Sequence, residues 1–296
     1  MSAIQMRVSR SDAAITPGWL RPAALPILVG ILLITLALYL PPYLDSFLGD
    51  DFVQQWRIRD LVAEPGSALQ VFQPDWTDWY YRPLQNLWML LNRLLFGLAP
   101  AASYFLQGCL HLLGISLIYR VSRGFGIGRL GALIAASLFA INIEHHLTVD
   151  WISSIGVVAA STLSLGAVAI FNRYLKPSPN IIYLALTFVL WLAALFFHET
   201  AILLPLFLFI VWLSYPDRTE PSLSLLILTI LMGIVMSLFV LVQFIRVNAN
   251  ISSESLLAFN GSAPEQLVNF GQFLIRLSSC WLGLKNHDLE ILNHSG

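Results

Sequence analysis

The chain has 296 residues, of which 57% are hydrophobic and only 11% charged, and its formal net charge is -1. Soluble domains carry roughly 25% charged residues, so a chain with a mean hydropathy of +0.73 is no cytosolic enzyme or disordered protein, and its charge offers nothing to a nucleic-acid backbone. Two cysteines exclude a disulfide scaffold and a Cys-rich metal site, which leaves an integral membrane protein.

Crossing the hydrocarbon layer takes about 20 mostly apolar residues. In chain order the qualifying segments are roughly 22–40, 101–119, 126–143, 151–172, 181–198, 199–215 and 222–245. The expected fold is all-α, a polytopic membrane helical bundle of about seven spans, with an eighth if 267–284 crosses instead of lying in the interface. Arg7, Arg10 and Arg21 precede the first segment, as in a signal peptide. Its apolar run exceeds a signal h-region, however, and Pro41-Pro42-Tyr43 is no small-residue cleavage site, so it reads as a retained anchor.

The distribution of Lys and Arg sets the expected orientation. With the N-terminus cytoplasmic, Arg7, Arg10, Arg21, Arg120, Arg123, Arg129, Arg173, Lys176 and Arg218 fall in short inside stretches, and of the acidic residues only Asp12, Asp217 and Glu220 join them. The chain then divides into a cytoplasmic tail (1–21), a membrane domain (22–245) with a large extracytoplasmic first loop (41–100), and an extracytoplasmic or interfacial tail (246–296). The membrane would be the inner one in a bacterium. Everything chemically unusual lies on the outer side.

The first loop opens with Gly49-Asp50-Asp51-Phe52, followed by Val53, Trp56 and Leu61 at helical spacing. An acidic pair at that place suits the start of a short helix, and it equally suits a carboxylate base at the mouth of a membrane-face cavity. Further on, Asp75-Trp76-Thr77-Asp78-Trp79-Tyr80-Tyr81-Arg82-Pro83 is rich in aromatics. Such rings form interfacial belts or stack on sugars. Leu84, Leu87, Trp88, Leu91, Leu94 and Leu95 then mark one side of an interfacial amphipathic helix that ends at Gly97, with Gln85, Asn86, Asn92 and Arg93 on the other.

Asn142-Ile143-Glu144-His145-His146 follows the third segment. Adjacent histidines on a helix point about 100° apart, and the HExxH pattern is absent, so phosphate or substrate contact by His145 is the reading ahead of a structural role or a metal site. His198-Glu199 interrupts an apolar run from Ile181 to Leu213. An ionisable residue inside a membrane segment is expensive and marks function by default, which singles out Glu199. The Gly126-Ile127-Gly128-Arg129-Leu130-Gly131 match to a dinucleotide fingerprint has no preceding strand and reads as a short turn.

Several of these segments together resemble the GT-C superfamily of membrane glycosyltransferases, and within it the O-mannosyltransferase-like, TPR-associated membrane proteins and their bacterial relatives. The residues that carry the resemblance are Asp50-Asp51, Tyr81-Arg82-Pro83-Leu84, Phe96-Gly97-Leu98-Ala99-Pro100, Leu110-His111-Leu112-Leu113, Leu138-Phe139-Ala140 with His145, Trp151-Ile152-Ser153, and His198-Glu199 with Leu204-Pro205. Departures include His198 where the family commonly has Lys, and Asn142, Ile143 and Leu147 in a segment that often reads H-P-x-H-x-E. The resemblance implies inverting transfer of a sugar from a polyprenyl-phosphate donor to an extracytoplasmic acceptor, protein or envelope glycan. It assigns the base to Asp50 or Asp51 and implies contacts to donor phosphate or substrate from Arg82, His145, His198 and Glu199. No cofactor is assigned, and dependence on a divalent metal stays open without being indicated. Family members usually have more spans and a soluble C-terminal domain.

Two rival classes stay open. A secondary transporter or flippase of lipid-linked sugars would carry mid-membrane ionisable residues and internal repeats, whereas the charges here gather at one face. A non-catalytic assembly protein would tolerate loss of Asp50, Asp51 or Glu199.

Overall fold

The computed structural model describes residues 24–39, 46–63, 65–73, 80–142, 148–176, 180–215 and 223–250. His145, the aromatic stretch 74–79, the tail 1–21 and the segment 267–284 lie outside these residues. Among the described residues every regular element is helical and there is no strand. In chain order the elements are α1 (Ala24–Tyr39), α2 (Asp50–Ala63), a 3-10 segment (Pro65–Phe72), α3 (Pro83–Phe96), α4 (Pro100–Gly124), α5 (Arg129–Ala140), a 3-10 turn (Ile152–Ser154), α6 (Ile155–Tyr174), α7 (Ile181–Phe197), a 3-10 turn (Glu199–Leu203), α8 (Leu204–Ser214) and α9 (Leu223–Asn250).

Each expected membrane segment contains a helix. Among the described residues three stretches, Pro100–Gly124, Ile152–Tyr174 and Leu223–Phe244, are long and apolar enough to cross a membrane. The other four expected segments hold shorter apolar helices. With 12 residues, α5 rises about 18 Å, well short of a hydrocarbon core of about 30 Å.

Local signals set the helix ends. Pro83 and Pro100 occupy first-turn positions, where the missing N–H costs nothing. α3 stops at Gly97, whose φ of 63° directs its N–H to Arg93 O. The glycine-rich decoy is the turn between α4 and α5: Gly126 has φ 82°, and Arg123 Nη1 donates to Ile127 O at 2.7 Å.

The α6–α7 pair forms the centre. Phe171, Trp191, Ala194 and Leu195 are buried there with Leu204 and Leu208 of α8 and Met232 and Phe239 of α9. Trp191 Nε1 donates to Ala201 O at 3.0 Å, which satisfies the indole and pins the 3-10 turn after α7. At one end, Ile58, Met89, Tyr104, Ile152 and Ile155 join α2, α3, α4 and the start of α6. On the far side His111, buried in α4, stacks on Phe139 of α5 at 5.6 Å.

Lipid tails are as apolar as leucine, so helix association in a membrane relies on close packing and hydrogen bonds. The packing here has that character. Gly156 lets the Gln85 amide and the Phe197 carbonyl approach α6, and an added Cβ would lie 2.7 Å from Phe197 O. On α3, Leu91, Leu94 and Leu95 are exposed, while Gln85 and Asn92 are buried beside Met89 and Leu90. The later half of the apolar stripe seen in the sequence thus faces outward, and Gln85 and Asn92 are packed inward.

Candidate functional site

The acidic pair opens α2, and its two members sit in opposite environments. Asp50 is exposed; Asp51 is fully buried. Gly49, with φ 47°, makes the bend that precedes them. Asp51 Oδ2 accepts from Leu48 N–H at 3.0 Å. Asp51 Oδ1 accepts from the Ser153 backbone N–H at 2.7 Å and the Ser153 hydroxyl at 2.5 Å. A carboxylate that accepts from three donors is held firmly in place. Both oxygens are engaged in joining α2 to the turn before α6.

Ser153 carries the connection onward. Its carbonyl accepts from Gln85 Nε2 at 3.0 Å, and Gln85 lies one turn into α3 from Arg82. The same turn is fixed by Gln107 of α4, whose Nε2 donates to Thr148 O at 2.7 Å and Trp151 O at 2.9 Å. Tyr104, one turn before Gln107, donates its hydroxyl to Ser46 O at 3.2 Å.

Arg82 stands just before Pro83 at the start of α3, and its guanidinium meets Glu199 side-on. Nε donates to Oε2 at 2.9 Å and Nη2 to Oε1 at 2.5 Å. This is the paired fork geometry that Arg offers and Lys does not. The two side chains are 20% and 12% exposed, so the pair is shielded but not sealed. The Tyr80 ring lies under the guanidinium, with Cζ 4.4 Å from its centroid.

Glu199 follows the break between α7 and the next 3-10 turn. His198 caps α7 with an extended backbone and accepts the Thr200 N–H on Nδ1 at 3.3 Å. With Nδ1 accepting, the neutral ring carries its proton on Nε2, which lies 3.7 Å from Glu199 Oε1. From Thr200 an apolar groove of about 430 Å³ runs between α6 and α8, lined by Val157, Ala160, Ser164, Leu204 and Phe207.

Of the residues singled out in the sequence, Arg82, His198 and Glu199 form one cluster, and Asp51 is hydrogen-bonded through Ser153 to Gln85, one turn along α3 from Arg82. Asp50 adjoins on the exposed side. The linking residues Ser153, Gln85 and Gln107 were not read as functional. The available signal was an amide within an apolar helix, since a buried amide needs a partner. Among the described residues no group of three His, Cys, Asp or Glu side chains is gathered as for a metal.

No protein-family model matches the chain, and no solved structure does. Over 122 residues the chain is 32% identical to Protein O-mannosyl-transferase Tmtc1 of Drosophila melanogaster, a match that covers 41% of this chain and 14% of that protein. The chain thus spans about one seventh of the length of the relative it matches.

Proposed function

We propose that the chain is a membrane glycosyltransferase that moves a sugar from a polyprenyl-phosphate donor to an extracytoplasmic acceptor, protein or envelope glycan, with inversion. In this reading the N-terminus is cytoplasmic and the Asp50–Glu199 end of the bundle faces outside. The observation that carries it is a fixed guanidinium, Arg82, one turn of α3 before Gln85, which is hydrogen-bonded through Ser153 to Asp51 of the acidic pair, beside a groove that starts at Thr200. The similarity to a protein O-mannosyl-transferase supports the reaction class.

The exposed Asp50 takes the proton from the acceptor hydroxyl. The oxygen attacks the anomeric carbon as the bond to the lipid phosphate breaks, and that bond's electrons leave with the phosphate. One displacement inverts the centre. Arg82 faces the departing phosphate with the donors not used on Glu199, in a water-poor site where such contacts are strong. Asp51 positions Asp50 and leaves the chemistry to it. The apolar groove takes the first part of the lipid.

The test is donor turnover. Membranes containing the chain are incubated with a panel of polyprenyl-phosphate sugars, and release of free lipid phosphate is followed. Turnover that falls by roughly 10²–10⁴ in Asp50→Asn is expected for loss of a general base. No turnover of any donor by a folded chain would sink the enzyme reading.

A further inference from the structure

The last described helix carries a buried amide in an otherwise lipid-like sequence. Gln243 is 3% exposed, while Leu238 and Leu241 beside it on α9 are open to the surroundings. Its Oε1 accepts from Tyr81 N–H at 3.1 Å, and its Nε2 donates to Tyr81 O at 3.4 Å. One side chain therefore satisfies both backbone groups of one residue, across 162 positions of sequence. Tyr81 is fixed from two further directions. Its hydroxyl donates to Phe72 O at 2.9 Å, and its ring meets Phe196 of α7 edge-on at 6.2 Å. The next residue is Arg82.

We infer that Gln243 is a positioning residue for the Arg82–Glu199 pair, so that α9 belongs to the site as well as to the bundle. This inference rests on the transferase reading for its consequence and on the hydrogen bonds for its geometry. Arg82 has φ -130° and ψ 66°, outside the helical region; its carbonyl accepts the first α3 bond, from Asn86 N–H at 3.1 Å, whereas the Tyr81 peptide groups are held by Gln243. A carbonyl and an N–H without partners in a water-poor place are costly. Deprived of Gln243, the peptide groups of Tyr81 turn to find other donors and acceptors, and the guanidinium moves with them. Packing alone gives no reason for an amide here, because Leu228, Met232 and Phe239 already seat α9 on the core.

The experiment uses the full chain with two substitutions, Gln243→Leu and Gln243→Glu. Leu keeps the bulk and loses both bonds. A protonated Glu restores both, since its carbonyl accepts from Tyr81 N–H and its O–H donates to Tyr81 O. A displacement of about 1 Å can cost roughly 100-fold in rate. Gln243→Leu is expected to lower kcat by about 10-fold to 100-fold with a much smaller change in donor KM. Relative to the wild type at each pH, Gln243→Glu is expected to recover as pH falls through the titration of its carboxyl. A merely structural role would shift the melting temperature with pH and leave kcat per folded molecule unchanged. Unchanged kcat in folded Gln243→Leu, or a pH-independent deficit in Gln243→Glu, would overturn the inference. A second arm needs no turnover. Melting temperatures of Gln243→Leu, Glu199→Gln and the double variant in detergent should be non-additive, because both changes act on Arg82. Additive shifts would overturn the positioning role. An inactive wild type with a non-additive cycle would sink only the transferase reading.

Discussion

Ser153 directs both of its donors, backbone N–H and hydroxyl, at a single oxygen of Asp51, at 2.7 and 2.5 Å. The two residues lie 102 positions apart, and their contact joins the first-loop helix α2 to the turn that starts α6. The arrangement divides labour within a doublet that looks symmetrical in the sequence. Asp51 has both oxygens engaged and its surface buried, whereas its neighbour Asp50 is exposed.

Asp51→Asn should therefore destabilise the protein. An Asn side chain turns one oxygen into an NH2 group, which then opposes either the Leu48 N–H or the Ser153 donors. Losing a hydrogen bond to a charged acceptor costs about 1.5–3 kcal/mol, and leaving a buried donor unpaired adds to this. A drop of about 2–4 kcal/mol in unfolding free energy is expected, read from thermal or denaturant unfolding in detergent. Asp50→Asn should leave that melting curve where it is while abolishing turnover. Equal destabilisation by the two variants would contradict the division.

The Arg82–Glu199 fork makes a second prediction. Removing one partner of a shielded ion pair leaves the other uncompensated, at about 3–5 kcal/mol, so Glu199→Gln should fall at the low end because both side chains retain some exposure. Arg82→Lys keeps the charge but has no planar fork to span two carboxylate oxygens. It should lose stability by less than Glu199→Gln, yet lose donor turnover nearly as fully as Arg82→Ala. Full turnover in Arg82→Lys would show that only the charge matters at this position.

The sequence made the helices legible because a membrane segment declares itself by length and polarity alone. Every apolar run from 22–40 to 222–245 contains a helix. Arg82, Glu199 and the acidic pair were also visible, since a charge beside an apolar run stands out. What could not be read was which residues meet. Nothing local links Arg82 to a carboxylate 117 positions later, and uncharged Gln85, Gln107 and Gln243 barely disturb a hydropathy profile. The direction of α3 was equally hidden. An apolar stripe seeks the core in water, but in lipid it is free to face outward, and Leu91, Leu94 and Leu95 do.

Gly156 offers a test of how tightly α3, α6 and α7 meet. An Ala methyl there would press on the Gln85 amide and lie 2.7 Å from the Phe197 carbonyl, and the backbone atom has little room to yield. Gly156→Ala should cost about 1–3 kcal/mol by overpacking and reduce turnover by loosening the His198–Glu199 turn that follows Phe197. Gly108 on α4 has nothing within 4 Å of the same added atom. Gly108→Ala should be neutral or stabilise by up to about 1 kcal/mol, through helix propensity. Matching melting shifts for the two would mean that the contact at Gly156 is slack.

In the proposed reading, the groove beside Thr200 is the part of the site that takes the donor's lipid. Its lining is mostly apolar, with Ser161, Ser164 and Thr200 among it, and its near end adjoins the residue that holds His198 Nδ1. Filling it at a distance from the charged cluster should separate lipid binding from chemistry. Ser164→Phe, at a partly exposed lining position, narrows the groove between α6 and α8 away from Arg82, Glu199 and the acidic pair. For a long-chain polyprenyl-phosphate sugar, donor KM is expected to rise about tenfold, corresponding to about 1.4 kcal/mol of lost binding. A donor with a chain too short to reach Ser164 should be used as well as by the wild type. Equal losses with both donors would place the lipid elsewhere on the bundle and leave the groove to ordinary membrane lipid.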